Sequence, residues 1–82
     1  MEAIFYTYVL YSEVHCKTYV GYTSNLIGRV EAHNHPQNKG WTKRHQPWIL
    51  IYSESFPTKS AAMHRELELK SYRGREFIKS LL

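Results

Sequence analysis

The chain carries a tyrosine, an arginine and a histidine at spacings that suit the handling of a phosphate and a proton. Tyr19 opens a short run of β-branched and aromatic residues that favours a strand, and the residues after that run have helical spacing. Arg29 and His33 are four positions apart, so a helix would present both side chains on one face. The planar guanidinium of arginine matches phosphate oxygens, and histidine exchanges a proton near neutral pH. This constellation predicts a site that holds a phosphate and moves a proton.

A strand, a turn and a helix must position these side chains. Gly21 interrupts the strand-forming run, which indicates a bulge or a point where a backbone or a ligand comes close. Residues 23–25 are all of types that cap helices, and they predict a helix from Asn25 to about His33. Pro36 follows the end of this helix, because the residue before a proline disfavours helical backbone.

Three hydrophobic segments predict the strands of a sheet. They cover residues 4–11, 18–23 and 47–56, and a polar turn joins the first two as a hairpin. The first segment is almost continuously bulky, as expected of a strand that is covered on both faces. Whether Tyr8 and Tyr19 face the same way depends on the strand register, which the pattern leaves open.

A carboxylate lies on the apolar side of a second predicted helix. This helix is capped by Thr58 or Ser60 and runs to about Tyr72, and Glu66 falls near the centre of its apolar stripe, which comprises Ala62, Met63 and Leu69. A buried carboxylate is costly unless it is paired or binds a cation, so Glu66 is either a metal ligand or the partner of a lysine or arginine. Gly74 is expected to end the helical pattern, and residues 76–82 predict a short terminal helix.

Tyr8 precedes Tyr19 by eleven positions (19 − 8), and each belongs to a short motif. Tyr8 ends the triplet YTY at positions 6–8, and Tyr19 begins the triplet YVG at positions 19–21. Together with Arg29, His33 and a downstream glutamate, this layout resembles the GIY-YIG nuclease family, most of all its small single-domain bacterial branch. The resemblance extends from about residue 5 to residue 79, although the first triplet lacks the glycine of the family motif.

The resemblance implies an α/β fold and an enzymatic function. The expected fold is one domain over residues 1–82, in which helices flank a small three-stranded antiparallel sheet and the first strand pairs with the other two. The expected activity is hydrolysis of phosphodiester bonds in DNA, structure-dependent or weakly specific, with branched, nicked or single-stranded DNA as possible substrates. DNA repair is one setting for such an endonuclease.

The resemblance also implies a role for each of five residues. Glu66 would hold one divalent cation, Mg²⁺ or alternatively Mn²⁺, because Mg²⁺ takes only one or two protein oxygens and keeps its waters. Arg29 would clamp the scissile phosphate. Tyr8 and Tyr19 would position the attacking water, one of them as general base, and His33 would take the tyrosine proton or orient its hydroxyl.

A basic segment at residues 37–46 predicts a loop that contacts nucleic acid. Lys39, Lys43 and Arg44 surround Trp41, and such a stretch can contact phosphates and stack on an unpaired base. A solvated loop whose Trp41 folds back over the core is an equally good interpretation. His33, His35 and His45 do not predict structural zinc, because a His-x-His pair at a helix end does not hold both rings on one face.

Composition narrows the class of protein. The chain has 82 residues, 43% of them hydrophobic, and a net charge of +4, which favours an anionic partner. A single cysteine excludes an internal disulfide, and no segment reaches the roughly 18 apolar residues of a membrane span, so we expect a cytoplasmic protein without membrane contact. Two alternatives to the nuclease stay open: a catalytically inactive nucleic-acid-binding module and a protein-interaction domain.

Overall fold

The β-branched and aromatic runs form a three-stranded antiparallel sheet in the computed structural model, which describes residues 3–82. Its strands are β1 (Phe5–Ser12), β2 (Lys17–Thr23) and β3 (Ile49–Phe56), in the order β2-β1-β3. The prediction that the first strand pairs with both others is therefore confirmed. The helices are α1 (Leu26–Asn34), α2 (Lys59–Lys70) and α3 (Tyr72–Ser80), and a short 3₁₀ helix covers Trp41–His45 within the predicted basic loop.

The strand register brings the two tyrosines to one face of the sheet. Tyr8 pairs with Gly21, and Leu10 pairs with Tyr19. Because side chains alternate along a strand, Tyr8, Gly21 and Tyr19 all point to the same side. This is the relation that the sequence pattern leaves open.

Both faces of the central strand β1 are covered, as its continuous bulk indicates. One buried cluster joins the sheet to α2 and α3 and comprises Val9, Val20, Leu69 and Ile78. The other comprises Tyr8, Leu10 and Trp48, against which Leu26 and Val30 of α1 pack. The sheet thus has one face toward α2 and α3 and the other toward α1, and the tyrosine pair lies on the α1 side.

Local hydrogen bonds fix the first two helices close to their predicted starts. The side chain of Asn25 accepts a hydrogen bond from the backbone N–H of Gly28 at 3.1 Å, and Thr58 accepts one from that of Ala61 at 3.1 Å. These are N-caps, which satisfy donors that a helix start leaves unpaired.

The prediction that Gly74 ends a helix is wrong. The chain changes direction earlier, at Ser71, whose backbone N–H donates to the carbonyl of Glu68 and whose hydroxyl accepts from the N–H of Gly74. Gly74 lies inside α3, and a Cβ there would collide with the backbone of Glu68 and Leu69. The glycine therefore allows α2 and α3 to approach closely. No helix within residues 3–82 is long and apolar enough to cross a membrane.

Candidate active site

A cleft of about 410 Å³ opens along β2, and four of the five predicted catalytic residues line it. Tyr8 comes from β1, Tyr19 from β2, Arg29 from α1 and Glu66 from α2. Because β2 is an edge strand, helices that pack on opposite faces of the sheet can both reach its outer side. The cleft thus brings together two phenols, a guanidinium and a carboxylate.

The fifth predicted residue, His33, is connected to this cleft through Tyr8. The imidazole Nε2 of His33 lies 3.0 Å from the Tyr8 hydroxyl, and its Nδ1 lies 3.1 Å from the hydroxyl of Thr42. Asn38 in turn donates a hydrogen bond to the Thr42 hydroxyl at 2.7 Å. When His33 Nε2 accepts a hydrogen bond from the Tyr8 hydroxyl, the imidazole proton is on Nδ1, which donates to Thr42. The chain from Tyr8 through His33 to Thr42 is therefore a continuous route for orienting or moving a proton.

Burial displaces the pKa values of Tyr8 and His33 in opposite directions. Burial raises the pKa of the Tyr8 phenol well above its ordinary 10.0, and the nearby Tyr19 raises it further while Arg29 opposes the rise. Burial lowers the pKa of His33 below its ordinary 6.5, and the charge of Arg29 lowers it further. At neutral pH the phenol is protonated and the imidazole neutral, so Tyr8 donates to His33 in the tautomer that carries its proton on Nδ1.

Gly21 leaves the space that the two tyrosine rings occupy. A Cβ at this position would lie 2.7 Å from the hydroxyl oxygen of Tyr8 and 3.0 Å from a ring carbon of Tyr19. Such contacts are shorter than side chains tolerate, so any larger residue would displace one of the rings. The glycine therefore marks a close approach, as one interpretation held, but the approaching groups are tyrosine side chains and not a backbone or a ligand.

Glu66 combines a half-buried position in the cleft with an ion pair. Its side chain is 17% exposed, and its Oε1 lies 2.6 Å from the ammonium of Lys70, one turn along α2. Of the predicted stripe around it, Ala62 and Leu69 are buried but Met63 is 42% exposed. Glu66 therefore has the lysine partner that one interpretation expects. It also faces the cleft, where the other interpretation expects a metal ligand.

The side chains of the cleft that could coordinate a metal ion suit a hard cation, one that keeps most of its bound waters. Glu66 is the one carboxylate among the described residues that line it, and no group of three or more acidic, histidine or cysteine side chains within residues 3–82 could enclose an ion. Mg²⁺ is commonly held by one or two carboxylates together with water and substrate phosphate, so this sparse set fits it better than zinc.

The cleft also contains a cation that the sequence interpretation missed. Lys59, in the first turn of α2, lines the cleft with Arg29. Neither cation forms an ion pair with another described residue. Lys59 and Glu66 are seven positions apart, two helical turns, and that spacing on one helix face could have identified Lys59. Thr42 gave no comparable signal, because its contact with His33 depends on the path of the loop between them.

The predicted nucleic-acid-binding residues lie on the 3₁₀ helix and the loop before it. Lys39 and Arg44 are exposed, and the ammonium of Lys43 donates to the carbonyl of Pro36. Trp41 is 49% exposed, with its ring 5.8 Å from that of Trp48. The indole packs beside the core, as one interpretation of Trp41 expects. It also presents much of its surface to solvent, as expected of a residue that could stack on a base.

Comparisons with known proteins agree with this architecture. The family model for the GIY-YIG catalytic domain matches residues 4–77. A UPF0213 protein of Staphylococcus haemolyticus is 38% identical over 71 residues, which cover 83% of this chain and 87% of the relative. A UPF0213 protein of Staphylococcus aureus is 44% identical over 54 residues, 66% of each chain.

A solved structure gives the same result for the fold. The solution NMR structure of a UPF0213 protein of Bacillus halodurans matches with a TM-score of 0.56 and 31% identity, over 95% of this chain and 84% of that one. The expected arrangement of a small antiparallel sheet flanked by helices is thereby confirmed. The family match spans both tyrosines, the arginine, the histidine and the glutamate described above. The chain belongs to the GIY-YIG catalytic domain family, a family of nucleases.

Proposed function

We propose that the cleft is the active site of a divalent-metal-dependent DNA endonuclease, which hydrolyses phosphodiester bonds in a structure-dependent or weakly specific way. The observation that carries this proposal is the convergence of Tyr8, Tyr19, Arg29 and Glu66 on one cleft. His33 adds a proton acceptor at 3.0 Å from Tyr8. Membership of a nuclease family supports the same reaction class.

Arg29 binds the scissile phosphate in this proposal. Its side chain is exposed in the cleft and forms no ion pair with residues 3–82, so it is available to a ligand. A guanidinium can donate two parallel hydrogen bonds to phosphate oxygens, which fixes the orientation of the phosphate as well as its charge. Lys59 supplies a second positive charge to the same phosphate or to its neighbour.

Glu66 would hold the divalent cation, Mg²⁺ or Mn²⁺, in place of its ion pair with Lys70. When bound, the ion supplies Lewis-acid stabilisation of the charge that develops at the phosphoryl group and the leaving oxygen. The half-buried position of Glu66 keeps the carboxylate oriented toward the cleft. A partly excluded site also strengthens the attraction between opposite charges.

Tyr8 and Tyr19 position the attacking water, and His33 controls the Tyr8 proton. The Tyr8 hydroxyl donates a hydrogen bond to neutral His33, so the lone pairs of its oxygen are directed toward the cleft. Its raised pKa means that the phenol gives up this proton only when positive charge lies close to it. Arg29 supplies part of that charge.

The ion pair of Glu66 favours a second candidate, a nucleic-acid-binding module without catalysis. Lys70 already neutralises the carboxylate, so the cleft could carry net positive charge and bind a phosphate without a metal. Arg29, Lys59 and the exposed Lys39 and Arg44 would then grip the nucleic-acid backbone.

A cleavage assay separates the two candidates. Nicked, branched and single-stranded DNA are incubated with the protein and Mg²⁺ or Mn²⁺, and products are counted with and without a chelator. Glu66→Gln should slow cleavage by at least about 100-fold, whereas Glu68→Gln, a matched change on the exposed side of the same helix, should leave the rate unchanged. Binding without cleavage under every metal condition would support the second candidate and overturn the first.

A further inference from the structure

A second cavity adjoins the cleft and shares two of its residues. It has a volume of about 280 Å³, and Tyr19 and Arg29 line both cavities. Its remaining walls include His33, Asn38 and Trp41. A group in this second cavity would therefore lie next to a phosphate that is held by Arg29.

Aromatic rings form much of this second cavity. The Tyr19 and His33 rings are 4.6 Å apart, and the Trp41 ring packs on that of His45 at 4.3 Å with an angle of 37°. His45 thus supports one side of the indole, while 49% of the Trp41 residue remains exposed. A supported, half-exposed indole is a platform on which a planar ring can stack.

The polar groups of the second cavity are already engaged with one another. The amide nitrogen of Asn38 donates to Thr42, and its amide oxygen accepts from the N–H of Gly40. The hydroxyl of Thr42 also contacts His33. Few hydrogen-bond donors or acceptors of the cavity remain free to contact the edge of a nucleobase. Binding would therefore use the face of the base and would tolerate any nucleotide sequence.

We propose that the second cavity binds an unpaired nucleobase next to the scissile phosphate, with the base stacked on Trp41. This inference rests on the proposed function, since it assumes that Arg29 holds a phosphate of DNA. A base inside a duplex has neighbours on both faces and must leave the stack at a cost before it can enter such a cavity. The substrate class is therefore DNA with an unpaired nucleotide at the cleavage site: a single strand, a flap or a gap.

Binding measured without metal tests this proposal independently of catalysis. Tryptophan fluorescence, to which Trp41 and Trp48 both contribute, and the anisotropy of a labelled oligothymidylate are recorded in chelator, with a blunt duplex of equal length as the second probe. Trp41→Phe leaves Trp48 alone and so shows which part of the signal belongs to Trp41. The single strand should quench the tryptophan fluorescence and bind more tightly than the duplex. Trp41→Ala should weaken single-strand binding by roughly 5- to 100-fold and duplex binding by less than about twofold, and Trp41→Phe should retain most of the affinity.

A second variant covers the case in which Trp41→Ala does not fold. Ala32 is an exposed residue of α1 that lines the second cavity, so Ala32→Met should fill the cavity without disturbing the core. It should reproduce the selective loss of single-strand binding. Equal losses for both probes, or wild-type single-strand binding by the folded variants, would overturn the proposal. A lack of cleavage in the metal-dependent assay would count against the proposed function and leave this binding result intact.

Discussion

His33 and Tyr8 share a hydrogen bond, and burial has moved the pKa values of the two groups apart. A proton on Tyr8 is therefore harder to transfer to His33 than it would be between two exposed groups. A tyrosine in this setting becomes a base only when positive charge stabilises the phenolate. If Tyr8 is the general base, as proposed, positive charge must lie close to its oxygen, because otherwise the phenol keeps its proton.

Thr42 should affect the reaction by positioning His33. Its buried hydroxyl is 3.1 Å from His33 Nδ1, and Thr42→Val removes that partner while keeping the shape of the side chain. We expect cleavage to fall by about 10- to 100-fold and the acid limb of the pH–rate profile to move to lower pH, because the imidazolium loses an acceptor. Thr42→Ser should restore both, and a valine variant with an unchanged pH profile would contradict this role.

The lowered pKa of His33 also predicts how stability depends on pH. Between its pKa in the folded protein and the ordinary 6.5, the unfolded chain binds a proton that the folded chain does not. The free energy of unfolding should therefore fall as the pH drops through this window. His33→Gln should reduce that fall in denaturant titrations at pH 7.5 and pH 5, whereas His64→Gln, on the exposed surface of α2, should retain it.

At the scale of elements, the strands and helices followed from local patterns, whereas their mutual geometry did not. The β-branched and aromatic runs identify the strands, and the caps at Asn25 and Thr58 identify the starts of the first two helices. Register was beyond the pattern, since a shift of one residue reverses every side chain of a strand. Gly74 was misinterpreted for a related reason: a glycine that ends a helix and one that admits a neighbouring helix look identical in sequence.

The hairpin predicts an effect of Gly21 on activity that exceeds its effect on stability. Gly21→Ala places a methyl group 2.7 Å from the Tyr8 hydroxyl oxygen, and the phenol must move. We expect a stability loss of about 1–3 kcal/mol and a roughly 100-fold loss of cleavage, since displacement of a reacting group by about 1 Å costs that much. Thermal unfolding and cleavage rates measured side by side test this expectation. A variant that is destabilised yet fully active would show that the phenol position is unimportant.

At the scale of the whole molecule, the spacing of the motif residues and the family resemblance predicted that these side chains converge, but not how they meet. One cleft is lined by side chains from two strands and from helices on opposite faces of the sheet: Tyr8, Tyr19, Arg29 and Glu66. The joint spacing made the family recognisable, and the edge position of β2 explains how the convergence occurs. Thr42 joins the site through a tertiary contact with His33 that no local pattern reports. Lys59, by contrast, could have been identified from its seven-residue spacing to Glu66 on one helix face.

The central claim is that Arg29 and Glu66 act on one phosphate, and a double-variant cycle tests it most directly. Single-turnover rates of DNA cleavage with Mg²⁺ would be measured for the wild type, Arg29→Lys, Glu66→Gln and the double variant. Each single change should slow cleavage by at least about 100-fold, and the double variant should be little slower than the slower single variant, because groups that serve one transition state are not additive. Losses that multiply in the double variant, or single variants with wild-type rates, would contradict the claim.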